Sequence, residues 1–179
     1  MNHTLAELQQ EIAHSLQGLD TSQVQLLPPV PPGKPQKWSI QQITEHLLLT
    51  YAETEAALNA RIAKGSPTRT QPKFWQHLMQ YTVCRIGFFP SGRKAPALVA
   101  PPATATPLSG DQLARAAADH LARLDRSCEQ AAALFGHTSR CATHMVLGPL
   151  SVDQWRSFQL VHGRHHLKQI AAIRSAHQV

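Results

Sequence analysis

Four Ser/Thr-x-x-Glu/Gln tetrads constrain the fold of this chain more than any other feature of its sequence. In such a capping box the side chains of the first and fourth residues satisfy backbone N–H groups reciprocally, so the tetrad marks where a helix begins. The tetrads start at Thr4, Ser39, Ser109 and Ser151. Each precedes apolar residues at three-and-four spacing, the period of an amphipathic helix. The pattern predicts an all-α protein, with four helices arranged as a four-helix bundle.

Prolines separate these helices. Proline cannot continue a helix because it lacks the backbone N–H, and prolines are concentrated in residues 28–35 and again in residues 90–107. The second group lies in a proline-rich excursion, residues 66–108, between helices two and three. Within it, Pro72 precedes a stretch with helical spacing, which predicts a short additional helix from Lys73 to about Arg85.

The rest of the chain offers little that favours a sheet or a second domain. The run TVCRIGFF, residues 82–89, is the nearest match to a strand, but it has no partner run, so we expect no sheet. A chain of 179 residues is an ordinary size for one core, and we expect a single domain over residues 1–179.

The net charge of +6 is unevenly distributed. No acidic residue occurs between Glu55 and Asp111, whereas seven basic residues lie there. These are Arg61, Lys64, Arg69, Lys73, Arg85, Arg93 and Lys94. Such a stretch could attract an anionic small molecule. It has neither interleaved aromatic residues nor a recognisable DNA-binding motif, so we do not expect nucleic acid as the partner.

Several patterns bear on the compartment. No apolar run has the length of a membrane span, and the N-terminal segment lacks the pattern of a secretory signal, so we expect no membrane association. Three cysteines form no C-x-x-C pair, and an odd number cannot close a disulfide framework. We therefore expect a cytoplasmic protein.

Histidine is the residue type that points to chemistry, with 11 in the chain. His162 and His166 are one helical turn apart, about 40° around the axis, in the middle of the apolar stripe of the last helix. Two imidazoles at this spacing can hold one divalent cation, and Gln169 lies close enough to orient them. His46, at the edge of the stripe of helix two, is the candidate third ligand.

The spacing alone leaves two interpretations open. Three imidazoles with a vacant fourth position would form an open metal site that accepts water or a substrate. Alternatively, the histidines are core residues that hydrogen-bond to each other or to carbonyl groups. No nucleophile triad, glycine-rich phosphate loop or carboxylate pair stands out, so the catalytic residues are unknown.

Two segments resemble a known family. The segment KWSIQQITEHL (37–47) is similar to the Trp-Ser opening and histidine of helix two in the DinB/YfiT-like superfamily. The segment HMVLGPLSVDQWRSFQLVHGRHHLKQI (144–170) resembles its closing motif, in the form found in an uncharacterised branch, a domain of unknown function.

The resemblance implies a homodimeric four-helix bundle that binds a divalent metal, zinc or nickel, through His46, His162 and His166. His144 matches the histidine before the Gly-Pro-Leu turn, where it would line the metal pocket or stabilise the turn. Gln169 and Trp155 match recurring positions without an agreed role.

Characterised relatives in the superfamily include metal-dependent thiol S-transferases and a thiol-dependent isomerase. The resemblance therefore implies a small-molecule substrate and a low-molecular-weight thiol as cofactor. An open metal site could also activate water, and hydrolysis with Glu45 or Glu53 as base is the sibling expectation. The alternative is a non-catalytic bundle, a binding or stress-response protein in which the histidines are structural.

Overall fold

The structure is a computed structural model that describes residues 1–90, 95–103 and 106–179. Within these residues the chain is mostly helical, with five α-helices and one small sheet. In chain order they are α1 (His3–Leu16), α2 (Ile40–Ala63), α3 (Phe74–Tyr81), α4 (Gly110–Phe135), β1 (Arg140–His144), β2 (Gly148–Ser151) and α5 (Val152–His177). None of the described helices is long and apolar enough to cross a bilayer.

Three of the four predicted helix starts are confirmed. Ser39, Ser109 and Ser151 each cap a long helix in a complete capping box, with the Gln three residues later closing it. The prediction at Thr4 is wrong. Helix α1 begins at His3, two residues before the start that a Thr4 cap would give, and the side chain of Asn2 caps it by accepting the Thr4 N–H at 3.0 Å. Thr4 is therefore inside the helix, where it cannot act as the cap.

The four long helices share one core. Helices α1 and α2 each pack against both α4 and α5. Two glycines allow a close approach to α1: a Cβ on Gly110 would lie 2.0 Å from the Leu16 carbonyl oxygen, and one on Gly163 would lie 2.4 Å from Cδ1 of Leu8. Fully buried side chains fill the centre, among them Leu5, Leu8, Ile12, Leu47, Tyr51, Leu58, Leu113, Leu121, Leu124 and Leu150.

The short additional helix exists, close to its predicted bounds. Helix α3 ends at Tyr81, and a π-helical turn continues over Thr82–Ile86. Gly87, at a φ of +77°, ends this turn in the left-handed conformation that glycine adopts without strain. The segment 82–89 is therefore not a strand.

The expectation of no sheet is wrong, because β1 and β2 form an antiparallel hairpin. All four residues of β2 are buried, so the strand lacks the alternation of polar and apolar residues that reveals a strand in a sequence. A residue far away in the chain also contacts the hairpin. The side-chain amide of Gln80, on α3, donates to the carbonyl oxygens of Leu147 and Pro149 at 2.7 and 3.1 Å.

Candidate metal centre

Two helices bring three histidines together in the interior. His46 projects from α2, and His162 and His166 project from successive turns of α5. Their side chains are buried, with 4–7% of their surface exposed. One ring nitrogen of each lies within 4.8 Å of the others, and no further His, Cys, Asp or Glu among the described residues joins this group. The group could therefore hold a metal ion.

Two of the nitrogen–nitrogen distances within the group are close to those of a metal coordination sphere. The Nε2 atom of His162 lies 3.3 Å from Nε2 of His46 and 3.1 Å from Nε2 of His166. Ligands at a Zn–N distance of about 2.0–2.1 Å in tetrahedral geometry are roughly 3.3–3.4 Å apart. The nitrogens are therefore spaced as two edges of such a tetrahedron.

Hydrogen bonds on the outer side of two rings set their tautomers. Nδ1–H of His46 donates to the Val99 carbonyl oxygen at 2.7 Å, and Nδ1–H of His166 donates to Oε1 of Gln169 at 3.1 Å. A neutral imidazole with its proton on Nδ1 has a lone pair on Nε2, the form that binds a metal. Both rings therefore direct lone pairs towards His162.

His162 cannot satisfy both lone pairs with one proton. If its Nε2 carries the proton, it donates to only one neighbour, and the other Nε2 is left without a donor. Its own Nδ1 is buried without a hydrogen-bond partner. A cation at the centre would satisfy all three Nε2 atoms at once. The donor set therefore fits a divalent metal better than it fits a closed network of core histidines.

Burial keeps these rings neutral at physiological pH. Desolvation lowers the pKa of His46, lowers that of His162 well below its usual range, and lowers that of His166 to about 3. The neighbouring imidazoles lower the pKa of His162 and of His166 further. Neutral imidazole is the metal-binding form, so no proton has to be removed before a cation binds.

Aromatic rings enclose the group. Phe158 stacks on His162, with ring centroids 5.2 Å apart and an interplanar angle of 9°. Phe89 lies 5.0 Å from His162, and Trp38 lies 5.0 Å from His46. An apolar surround strengthens electrostatic interactions with any ion or ligand held inside it.

Sequence reasoning missed Val99 and Phe89, which lie in the proline-rich excursion. The Val99 carbonyl is a backbone group, so its residue type carries no signal. Phe89 is separated from His162 by 73 positions in the chain and matches no helical pattern. The excursion therefore supplies part of the wall around the three histidines, which its composition did not indicate.

His144 lies at the hairpin, outside the three-histidine group. Its Nδ1 accepts the backbone N–H groups of Val146 and Leu147, both at 3.0 Å, so it stabilises the turn between β1 and β2. Its ring and that of Trp155 pack against Phe158. Phe158 in turn stacks on His162, so the two residues support the centre through one intervening ring.

Gln169 lies beside the group, as the helical spacing predicted. Its Oε1 accepts from His166, and its Nε2 contacts Nε2 of His165 at 3.1 Å. His165 is outside the metal group, although it is next to His166 in the chain.

The remaining candidate groups lie elsewhere. Glu45 does not join the histidines, and its Oε1 accepts from the side-chain amide of Gln41 at 2.8 Å. Glu53 is likewise outside the group. In the basic stretch, Arg93 and Lys94 lie outside the described residues. Four exposed residues of this stretch form no ion pair within the described part of the chain. They are Lys64, Arg69, Lys73 and Arg85.

Comparison with known proteins identifies a family but no activity. Residues 2–172 match a family described as "Protein of unknown function (DUF1569)". No curated protein and no solved structure matches the chain.

Proposed function

The chain belongs to the DUF1569 family of proteins of unknown function, and we propose that it binds one divalent metal ion, zinc or nickel, through His46, His162 and His166. The observation that carries the proposal is the convergence of three buried Nε2 atoms, two of which are set as acceptors by their outer hydrogen bonds. Imidazole suits both metals, so the ligand set does not choose between them.

The proposal includes a relationship to the DinB/YfiT-like superfamily and its four-helix bundle. Two features support it. Helices α1 and α2 pack against α4 and α5, and the three histidines come from the second and the last long helix, as the resemblance implies.

The activity that this arrangement favours is metal-dependent thiol transfer. Three protein ligands leave a fourth position for an exogenous group, the usual arrangement of a catalytic site. A divalent cation bound there would lower the pKa of a thiol in that position and so supply a nucleophile near neutral pH. The chain's own residues hold His46 and His166 in the required tautomers and exclude bulk water with the rings of Phe89, Phe158 and Trp38.

Hydrolysis is less well supported. A hydrolytic site commonly places a carboxylate near the metal as a general base, and no carboxylate of the described residues joins the histidine group. A small thiol that coordinates a metal releases its proton to the solvent as it binds, so thiol transfer needs no such base. The exposed basic residues of the excursion would attract an anionic thiol or substrate.

A structural metal is the competing function, and the burial of the histidines favours it. An ion held by His46 and His162 would join α2 to α5 inside the core, with no need for a substrate. The fourth position separates the two functions, because a structural site is closed by a fourth protein ligand and a catalytic site is not.

Metal analysis tests binding first. Purified protein is reconstituted with zinc or nickel, dialysed and analysed by mass spectrometry, beside His162→Ala and the matched control His165→Ala. We expect one equivalent in the wild type and the control and none in His162→Ala. Circular dichroism checks that each variant is folded. Retention of the metal by folded His162→Ala, or its absence from the wild type, would overturn the assignment.

Activity is tested on the loaded protein. Cysteine is supplied as the thiol with a panel of alkyl halides and epoxides, and loss of free thiol is followed with a colorimetric reagent. We expect consumption by the metal-loaded wild type and by His165→Ala, but not by His162→Ala. A loaded wild type that binds metal and consumes no thiol would favour the structural metal instead.

A further inference from the structure

Helix α3 packs with its polar face inwards. Gln80 is buried and donates two hydrogen bonds to the hairpin. Gln76 also faces the hairpin, since a Cβ on Gly148 would lie 2.5 Å from its Oε1. At 100° per residue the two glutamines lie about 40° apart on one side of the helix. This orientation is the reverse of the usual amphipathic helix, which turns its apolar face to the core.

The outward side of α3 is apolar. Phe74, Trp75, Leu78 and Tyr81 lie within an arc of about 120° opposite the glutamines. All four are exposed, Phe74 to 87%. Ile86 and Phe88, in and after the π-helical turn, are exposed as well. Because hydrogen bonds from Gln80 anchor the inward side, the apolar side cannot turn inwards without breaking them.

We propose that this surface, the α3 face formed by Phe74, Trp75, Leu78 and Tyr81, is the contact between two copies of the chain. Large apolar and aromatic side chains offer about 150–250 Å² each, so the exposed fractions of the four residues amount to roughly 500 Å². Ile86 and Phe88, which follow them in the chain, bring the exposed apolar area to roughly 700 Å². The largest apolar patch of a typical monomer is about 300–600 Å². A standard interface buries about 800 Å² per partner, close to the area exposed here. The proposal does not rest on metal binding.

The charges around the face determine how the contact responds to salt. Lys73 and Arg85 are exposed at the two ends of the helical segment, and neither forms an ion pair within the described residues. In a two-fold contact each copy presents the same surface, so basic groups of the two copies approach each other at the rim. Salt screens this repulsion, so the dimer becomes tighter as the salt concentration rises. An acidic protein or an anionic membrane on the same face would be released by salt.

Sedimentation equilibrium tests the proposal on the full chain. The wild type is compared at 0.05 and 0.5 M NaCl with Phe74→Ser/Leu78→Ser and with a control, Leu134→Ser, which removes a similarly exposed leucine from α4. We expect a dimer whose dissociation constant falls at least twofold at the higher salt. We expect Leu134→Ser to remain dimeric and the double variant to be monomeric. Replacing exposed side chains changes the free energy of unfolding by about 0.5 kcal/mol or less, so circular dichroism should show both variants folded.

Three outcomes would overturn the proposal. A wild type that is monomeric at 200 µM has no such contact, and a dimer that persists in Phe74→Ser/Leu78→Ser uses another surface. Binding of a monomer to phosphatidylglycerol vesicles, weakened by salt and lost in the double variant, would assign the α3 face to a membrane surface.

Discussion

Zinc binding should raise the melting temperature of this protein, and His162→Ala should remove most of the rise. The ion would join α2 to α5 through residues that are 116 positions apart, with their Nε2 atoms 3.3 Å from each other. An unfolded chain does not hold two such distant side chains at this distance. The ion therefore binds the folded state and not the unfolded state, and its full binding free energy appears as stability.

The size of the effect follows from this linkage. At a free zinc concentration 1,000 times the dissociation constant, the free energy of unfolding rises by about 4 kcal/mol. For a chain of this length 1 kcal/mol corresponds to roughly 2–4 °C, so we expect an increase of about 8–16 °C. His162 carries the nitrogen that contacts both neighbours. If its loss weakens binding about 1,000-fold, the same zinc concentration adds only about 0.4 kcal/mol, or roughly 1–2 °C.

Differential scanning calorimetry with and without zinc measures both values. Each variant is compared with its own metal-free form, because replacing the buried His162 ring also removes its packing against Phe158. His165→Ala is the matched control on the same helix, and we expect it to keep the full increase. Equal increases in the wild type and in His162→Ala, or no increase in either, would show that His162 does not ligate zinc in the folded protein.

Three other predictions address the surroundings of the site, the helix packing and the thiols. Gln169→Leu removes the acceptor of the His166 Nδ1–H and should weaken zinc binding about 10–100-fold in a chelator competition titration, whereas Gln169→Glu, which keeps an acceptor, should not. Gly110→Ala places a Cβ against the Leu16 carbonyl, a backbone group that cannot rotate away, and should lower the free energy of unfolding by about 1–3 kcal/mol; an unchanged urea midpoint would contradict this. Burial raises the pKa of the Cys84 and Cys141 thiols to about 11 and that of Cys128 to about 12. At pH 8 alkylation by iodoacetamide should therefore be roughly 200-fold slower at Cys84 and Cys141, and roughly 2,000-fold slower at Cys128, than in the unfolded chain, a ratio that mass spectrometry measures.

Helical spacing predicts the positions of some residues at the site but not of others. Spacing alone put His162 and His166 on one face of a helix, since four residues make one turn whatever surrounds them. The same spacing placed Gln169 beside them, and the structure shows its hydrogen bond to His166. The sequence left two roles for His144, lining the metal pocket or stabilising the turn. The fold of the hairpin places its Nδ1 atom against the backbone N–H groups of the turn.

Two sequence-based expectations failed because distant contacts replaced the local signal. The buried strand β2 does not alternate between polar and apolar residues. Gln80, on α3, donates hydrogen bonds to two carbonyl groups of the hairpin that β2 forms with β1. Asn2 caps α1 in place of Thr4, and its own backbone N–H donates to Asp125 of α4 at 3.0 Å. A tertiary contact therefore accompanies the earlier helix start.

Local sequence pattern is enough to predict where α2, α4 and α5 begin and which two histidines lie one turn apart, because capping and helical spacing involve residues at most four positions apart. Three other features come from the packing of distant segments: His46 meets that pair, the Val99 carbonyl sets the tautomer of His46, and α3 turns its apolar side outwards. Each of these depends on packing between segments separated by more than 50 residues, which no local period encodes.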